Sequence, residues 1–529
     1  MNLCSVLGAG MDKASRDFNS YRDEVAKHFA SLRIGEPLAL AEPEAAERTD
    51  ERLAQCIWFD SLFLQEGLRT DSGLPLEILH PGRWNHDEGP DFKDAKIRIA
   101  GRELRGDIEI HIAAGGWRQH RHHFNPTYNS VVLHAYVRPE DTPRPACNSL
   151  GQPIEGFAMG PVLFPDIETI RQTIHVEDYP YQTPSASGRC QPLMCSLDED
   201  YVAGMLDAAG RERLEAKTAR FADQAQGETL DQVFYQAVMT SMGHGANKGL
   251  YFLLSKRAPL SEIADYLHDL GRERAVEFFQ SVLLHVARLV PEDGAGAQPG
   301  SESDAETLDY LKRIREAWKT FSGYFADRLI PATRQWTTGV RPVNFAHRRL
   351  AGVAHLLARC FLDEGVAAHF TRRFETLDPA LPDKDCQRWI RRKLIDAFVV
   401  GVPADFWAWR YTFSSRRSPG PMKLIGEGRA ASIVLNALLP LLLLHARNLG
   451  DESGVGLEER VWRVFHAFPA LESNAITRHM RVRLFGDHAR GKDLLGFEAR
   501  QQGLFHIFRA CCNQNEKGCE DCHYVRRPQ

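Results

Sequence analysis

Two textures divide the chain. Between residues 76 and 137 apolar and polar residues alternate over short runs, the two-residue period of a strand. From residue 200 onward apolar residues recur at three- and four-residue spacing, the period of a helix. The strand-type runs are 76–79, 95–99, 106–112 and 130–137, separated by Gly, Pro, Asn and Asp. In the run from Asp107 to Ile112, Ile108, Ile110 and Ile112 fall on one face and Asp107, Glu109 and His111 on the other. Val131, Val132 and Leu133 read as a buried strand. Upstream, Leu53, Cys56, Ile57, Leu62 and Phe63 give residues 52–65 a helical stripe. Downstream, helices are expected over 201–221 and 230–254, and helical patterning runs from 307 to 509. The pattern specifies an α+β protein, a mixed α/β unit followed by a large, mostly α-helical region.

The organisation expected from this is a mobile, acidic lead-in over 1–50 and an α/β domain over 51–178. Residues 138–200, which begin inside that domain, are rich in Pro, Gly and Ser and are expected to hold a long ordered loop, a short helix near 167–174 and a linker over 179–200. A helical region over 201–505, with a flexible polar interruption at 292–306, leads to a Cys-rich tail over 506–529. No repeat of fixed period is visible. The apolar run 430–446 is slightly short for a membrane span and is interrupted by Asn436 and Pro440, so a buried core helix is expected and no membrane partner.

Composition changes this picture little. Apolar residues make up 43% and charged residues 26% of 529, and the net charge of −5 excludes a chain-wide basic character. Any nucleic-acid contact must come from a local patch, such as the aromatic and basic residues at Trp389–Lys393 or Trp407–Tyr411; at helical spacing these read first as half-buried stripes. The first residues lack an export signal. Eleven cysteines then point to a reducing cytoplasm, in which a cluster suggests metal rather than disulfide. Nothing in the sequence sets the oligomeric state.

The candidate chemistry lies between Asn85 and His134. Pro90-Asp91 enters one strand, Glu109-Ile110-His111 lies on the next, and Trp117, His120, His122 and His123 follow. Two carboxylates on adjacent strands suit a hard cation, Mg²⁺ or Mn²⁺, held by Asp91 and Glu109. His111 would then orient or activate water, and His120 or His122 would assist the leaving group. A zinc site is the competing arrangement, with His111, His120 and His122 plus a carboxylate, His120 and His122 projecting from one side of a strand. Glu77 and Asp107 are further ligand candidates. In the plain structural alternative these residues line the solvated face of an edge strand and a polar loop.

Pro90-Asp91 followed by Glu109-x-His111 resembles the motif of the PD-(D/E)XK nuclease superfamily. The resemblance implies a restriction-endonuclease-like unit and metal-dependent cleavage of nucleic acid. His111 stands where that motif has Lys, a departure that Lys93 or Lys96 would have to make good, and that would suit a nonenzymatic nucleic-acid-binding or scaffold protein with a decayed site. The run from Trp117 to His122 resembles, more loosely, the Trp-His-x-His segment of very-short-patch-repair endonucleases. Near the end, Cys512, Cys519 and Cys522 have the C-x6-C-x2-C spacing that begins the iron–sulfur loop of endonuclease III-like glycosylases, implying Zn²⁺ or an Fe–S cluster. A fourth ligand would come from Cys511, His506, His523, Cys190 or Cys195.

A wider set of residues resembles an uncharacterised bacterial family of unknown function. It comprises His80-Pro81-Gly82, Asn85, Gly89-Pro90-Asp91-Phe92, Gly106–His111, Trp117, His120, Tyr128 and Val132-Leu133-His134. Arg341-Pro342-x-Asn344-Phe345 and Cys519-x-x-Cys522 complete it. This resemblance spans nearly the whole chain and implies a bacterial cytoplasmic protein.

Overall fold

The structure is a computed structural model that describes residues 17, 20–21, 45–85, 89–140, 145–174, 179, 187–243, 247–264, 272–292, 305–320, 322–332, 336, 341–360 and 365–512. The chain divides into two compact units. One takes residues 36–182 with 331–335, and the other takes 1–35, 183–330 and 336–528. Most of the 1–50 lead-in, most of the 292–306 interruption, and Cys519 and Cys522 lie outside the described residues.

The first unit opens with helix α1 (Ala45–Phe59). Leu53, Ala54, Ile57 and Trp58 are buried along it, and the Trp58 indole donates to the Pro81 carbonyl at 2.9 Å. The helix stops six residues before the stripe does, because Ser61 takes a left-handed φ of 49° and Phe63 bridges to Leu163 as extended chain. A seven-stranded sheet follows: β1 (Leu76–His80), β2 (Arg83–Trp84), β3 (Phe92–Ile99), β4 (Arg102–Ala113), β5 (Val131–Arg138), β6 (Ala146–Cys147) and β7 (Pro153–Ala158). Its order is β1-β3-β4-β5-β7-β6, with β2 also on β3. The pairs β1/β3, β3/β4 and β6/β7 are antiparallel, whereas β4/β5 and β5/β7 are parallel.

The change from antiparallel to parallel positions the chemistry. A parallel partner cannot be reached through a tight turn, so the chain must cross over between β4 and β5. That crossover carries helix α2 (Gly116–Gln119) and two 3₁₀ turns, His122–Phe124 and Pro126–Tyr128. It brings Trp117, His120 and His122 back over the sheet. Strand β7 falls where the sequence reads as loop. Pro153 and Gly156 mask it, yet proline is tolerated at the first residue of a strand, and β7 pairs with β5 from Leu133↔Glu155 to Tyr136↔Ala158. Helix α3 (Ile167–Thr173) forms as expected, with the Asp166 carboxylate accepting from the Thr169 N–H.

The second unit is helical. Helix Glu199–Gln224 runs against helix Glu498–Ile507 so closely that a Cβ on Gly210 would lie 2.1 Å from the Ala499 carbonyl, and one on Gly503 would lie 2.2 Å from that of Leu206. Residues 230–254, expected as one helix, form two: Leu230–Met242 ends at Gly243, and Asn247–Arg257 follows. Part of the expected linker is also structured, since Gln191–Ser196 is helical and the Arg490 guanidinium donates to the Met194, Cys195 and Leu197 carbonyls. The apolar run falls within Glu427–Leu449, widened to a π-turn at Val434–Leu438 just before Pro440. That helix is long and apolar enough to cross a membrane, and 78% of its apolar window is buried inside the protein.

Candidate metal centre

Strand β4 is central in the sheet, so the polar face read from its alternation is enclosed rather than solvated. Asp107, Glu109 and His111 are 8%, 6% and 1% exposed. This removes the solvated edge-strand alternative for Glu109 and His111. Asp107 is engaged elsewhere, accepting from Lys93 Nζ at 3.0 Å, Ser130 Oγ at 2.6 Å and the Asp94 N–H at 3.1 Å. Lys96 pairs with Glu103 at 2.7 Å, and Glu77 with Arg98 at 2.5 Å. Both lysines are thus paired with carboxylates, and Glu77 and Asp107 lie outside the histidine cluster, each paired with a cation.

Asp91, at the entry to β3, faces Glu109 across the β3/β4 pair, where Phe92 is paired with Ile108. Its Oδ2 accepts the Ile110 N–H at 2.9 Å, and its Oδ1 accepts from Gln55 Nε2 of α1 at 2.7 Å. Its own N–H donates to Glu109 Oε2 at 3.1 Å. The result is a clasp. Asp91 ties two strands and a helix together and fixes one oxygen of Glu109, leaving Oε1 turned to the histidines. Gln55 carries no motif signal and was not singled out from the sequence.

Glu109 Oε1 lies 3.1 Å from His122 Nε2 and 3.8 Å from His111 Nε2. His111 Nε2 lies 3.2 Å from His120 Nδ1 and 3.3 Å from His122 Nε2. One nitrogen from each of the three histidines falls within a common 4.8 Å. For zinc bonded to nitrogen at about 2.0–2.1 Å, tetrahedral geometry puts neighbouring ligand atoms about 3.3–3.4 Å apart. Three of the edges, at 3.1, 3.2 and 3.3 Å, lie near that spacing, whereas Glu109 to His111 at 3.8 Å and the 4.8 Å span of the three nitrogens would have to close on an ion. His111 and His122 are buried and His120 is exposed, so the cluster opens to solvent on the His120 side.

Second contacts orient the ring of His111. Its Nδ1 lies 2.9 Å from Nε2 of His134, the β5 residue in register with Glu109. With Nε2 presenting its lone pair to the cluster, the Nδ1 proton goes to His134, which fixes both tautomer and ring. Gly116 lies against the other side of that ring, where a Cβ would be 2.6 Å from Cγ and Cδ2 of His111. Trp117 is buried, donates from its indole to the Cys147 carbonyl at 2.9 Å, and packs 5.3 Å from the His122 ring and 5.4 Å from that of His134. Tyr128 covers His122 at 3.9 Å between centroids. In the sequence Trp117 stands within the candidate run, whereas His134 and Tyr128 enter only through a family pattern. Trp117 and Tyr128 lie on a helix and a 3₁₀ turn rather than a strand, so no alternation marks them.

His120 and His122 do not project from a strand as expected. His120 ends α2, His122 begins a 3₁₀ turn, and Arg121 between them takes φ 61° and ψ 27°. On a continuous helix, residues two apart do not share a face, and this left-handed step turns both rings toward one point. For a non-glycine residue the conformation costs about 1–2 kcal/mol.

The electrostatics of the bare protein are unfavourable. Burial pushes the Asp91 carboxyl well above the carboxylate range, with the Glu109 charge adding to the effect, and burial does the same to Glu109. Burial holds His111 well below the usual imidazole range and lowers His134 to about 3. A dication would offset the acids' desolvation, and a neutral imidazole is the form that offers a metal its lone pair.

In the other unit, Cys511 is buried and Cys512 half-buried at the end of a π-turn, and Cys519 and Cys522, the other members of the expected cluster, lie outside the described residues. Cys190 and Cys195 contact the Arg483 and Phe485 carbonyls. The Trp389–Lys393 stretch turns one arginine, Arg391, to Glu427 at 2.9 Å. Arg410, beside Trp407 and Trp409, is buried and paired with Glu306 at 3.0 Å.

The family DUF2851, described as a protein family of unknown function, matches residues 51–473, about four-fifths of the chain. The protein belongs to that family. No curated protein and no solved structure matches it.

Proposed function

We propose that the first unit is a metal-dependent hydrolase of phosphodiesters in which His111, His120, His122 and Glu109 hold one divalent transition ion. The observation that carries this reading is the convergence of three imidazole nitrogens and a carboxylate oxygen at ligand-to-ligand distances. A mostly imidazole donor set favours zinc over Mg²⁺ or Mn²⁺, which prefer oxygen. Asp91 then acts on Glu109, whose Oε2 accepts the Asp91 N–H, while the Asp91 carboxylate accepts from Gln55 and from the Ile110 N–H. With a fifth position taken up on the open, His120 side, the ion would acidify a coordinated water and stabilise charge developing on a phosphodiester oxygen.

The test is metal content and hydrolysis together. Purified protein should hold one equivalent of zinc, lost in His111→Ala and His122→Ala, and should cleave DNA or RNA only when loaded. Absence of metal uptake by the wild type overturns the reading. Cleavage that needs Mg²⁺ and survives both histidine substitutions returns the site to an Asp91 and Glu109 pair.

A further inference from the structure

Arg121 is the one residue of the centre whose backbone and side chain pull in different directions. It sits between two ligands, in a left-handed conformation that glycine or asparagine adopts with far less strain. Its side chain is exposed and, among the described residues, makes no hydrogen bond or ion pair. Arginine therefore does nothing for the turn that glycine would not do better, and nothing for packing. Strained backbone kept at a site is accounted for when the residue's chemistry is used there. The exposed residues of the crossover add to this. His120 marks the open side of the cluster, and Arg118 is exposed on the preceding turn. Three neutral imidazoles and one carboxylate around a dication leave a net charge of about +1, to which the exposed guanidinium of the residue between two of the ligands would add.

Resting on the metal reading above, we infer that Arg121 is the anion-binding residue of the centre, holding a phosphoryl group at the open, His120 side of the ion. The substrate class is then a phosphate ester presented as an anion, with the guanidinium donating two hydrogen bonds to its non-bridging oxygens.

The experiment uses the full chain loaded with Co²⁺, whose visible absorption reports its ligands, titrated with inorganic phosphate. Wild type should show a saturable spectral shift. Arg121→Gly should take up Co²⁺ with the wild-type spectrum and melt no lower. It should need roughly 10- to 100-fold more phosphate for the same shift, the loss expected for one charge-assisted contact. Arg121→Lys should fall between. Arg121→Gly titrating at the wild-type phosphate concentration overturns the inference, as does a wild-type spectrum that phosphate leaves unchanged. Loss of Co²⁺ binding in Arg121→Gly also overturns it, since the residue would then serve the ligands. Failure of the wild type to bind Co²⁺ at all removes the metal reading itself, a separate and earlier result.

Discussion

Gly116→Ala adds a single methyl group at the back of the candidate ligand His111. The new Cβ would stand 2.6 Å from the imidazole carbons, where ordinary contact begins at 3.4 Å, so ring and turn must separate by about 0.8 Å. His111 cannot yield freely, because its Nδ1 is held by His134 and its Nε2 faces two other rings. Metal–ligand distances tolerate roughly ±0.2 Å, so a displacement several times larger should detach one ligand. Affinity should fall at least 10- to 100-fold, as it does when orienting contacts are lost. The metal-free protein should lose about 1–3 kcal/mol from overpacking. Gly115→Ala is the matched control, because the three atoms nearest its Cβ belong to the carboxylate of Glu140, the far end of a flexible side chain, and none to His111. The assay is competition for zinc against a chromogenic chelator, with urea unfolding of the chelator-stripped proteins alongside. Wild-type zinc affinity in Gly116→Ala would refute the packing argument, and so would an equal loss in both alanine variants.

His134→Ala should leave the three ligands in place but free the His111 ring, lowering zinc affinity about 10- to 100-fold while His134→Gln, which can still accept the proton, loses less; equal affinity in all three proteins contradicts the role. Asp91→Ala orphans the Ile110 N–H and the Gln55 amide, so urea unfolding of the metal-free protein should show a loss of about 1–3 kcal/mol, and no loss would mean that the clasp is not formed. Stripping metal with a chelator should lower the melting temperature, and added zinc at 100 times its dissociation constant should restore about 2.7 kcal/mol; a melting curve indifferent to both denies the link between folding and metal. In the helical unit, burial lowers His347 to about 4, below its unfolded value near 6.5, so the folded state takes up fewer protons than the unfolded one. Stability should therefore fall as pH drops from 6.5 toward 4, by up to about 3 kcal/mol from this group. His347→Gln should shallow that fall without changing the slope above pH 7.

Much of this unit was legible because period-two alternation survives burial. Glu109 and His111 share a face whether that face meets water or an enclosed cluster, so the sequence gives the face and not its surroundings. What encloses it is long-range. The parallel partner β5 delivers His134, and α1 delivers Gln55, neither of which leaves a local pattern. Strand β7 was hidden by its Pro and Gly, and the division at Gly243 by an apolar stripe that continues across it. The clearest misreading was His120-x-His122 as strand. Strand spacing and a left-handed Arg121 both direct the two rings to one side, and only backbone geometry separates them. Asp91 was correctly joined to Glu109, but its carboxylate serves the Ile110 amide and Gln55, a division of labour that a motif of residue types does not encode.

The central claim is that three histidines and Glu109 share one ion, and X-ray absorption at the zinc edge of the loaded full-length protein tests it most directly. The account predicts one zinc per chain with imidazole scattering from three histidines at about 2.0–2.1 Å and an oxygen at about 2.0–2.2 Å, reduced by one imidazole in His122→Ala. A shell of oxygens or of sulfurs, unchanged by that substitution, would contradict it.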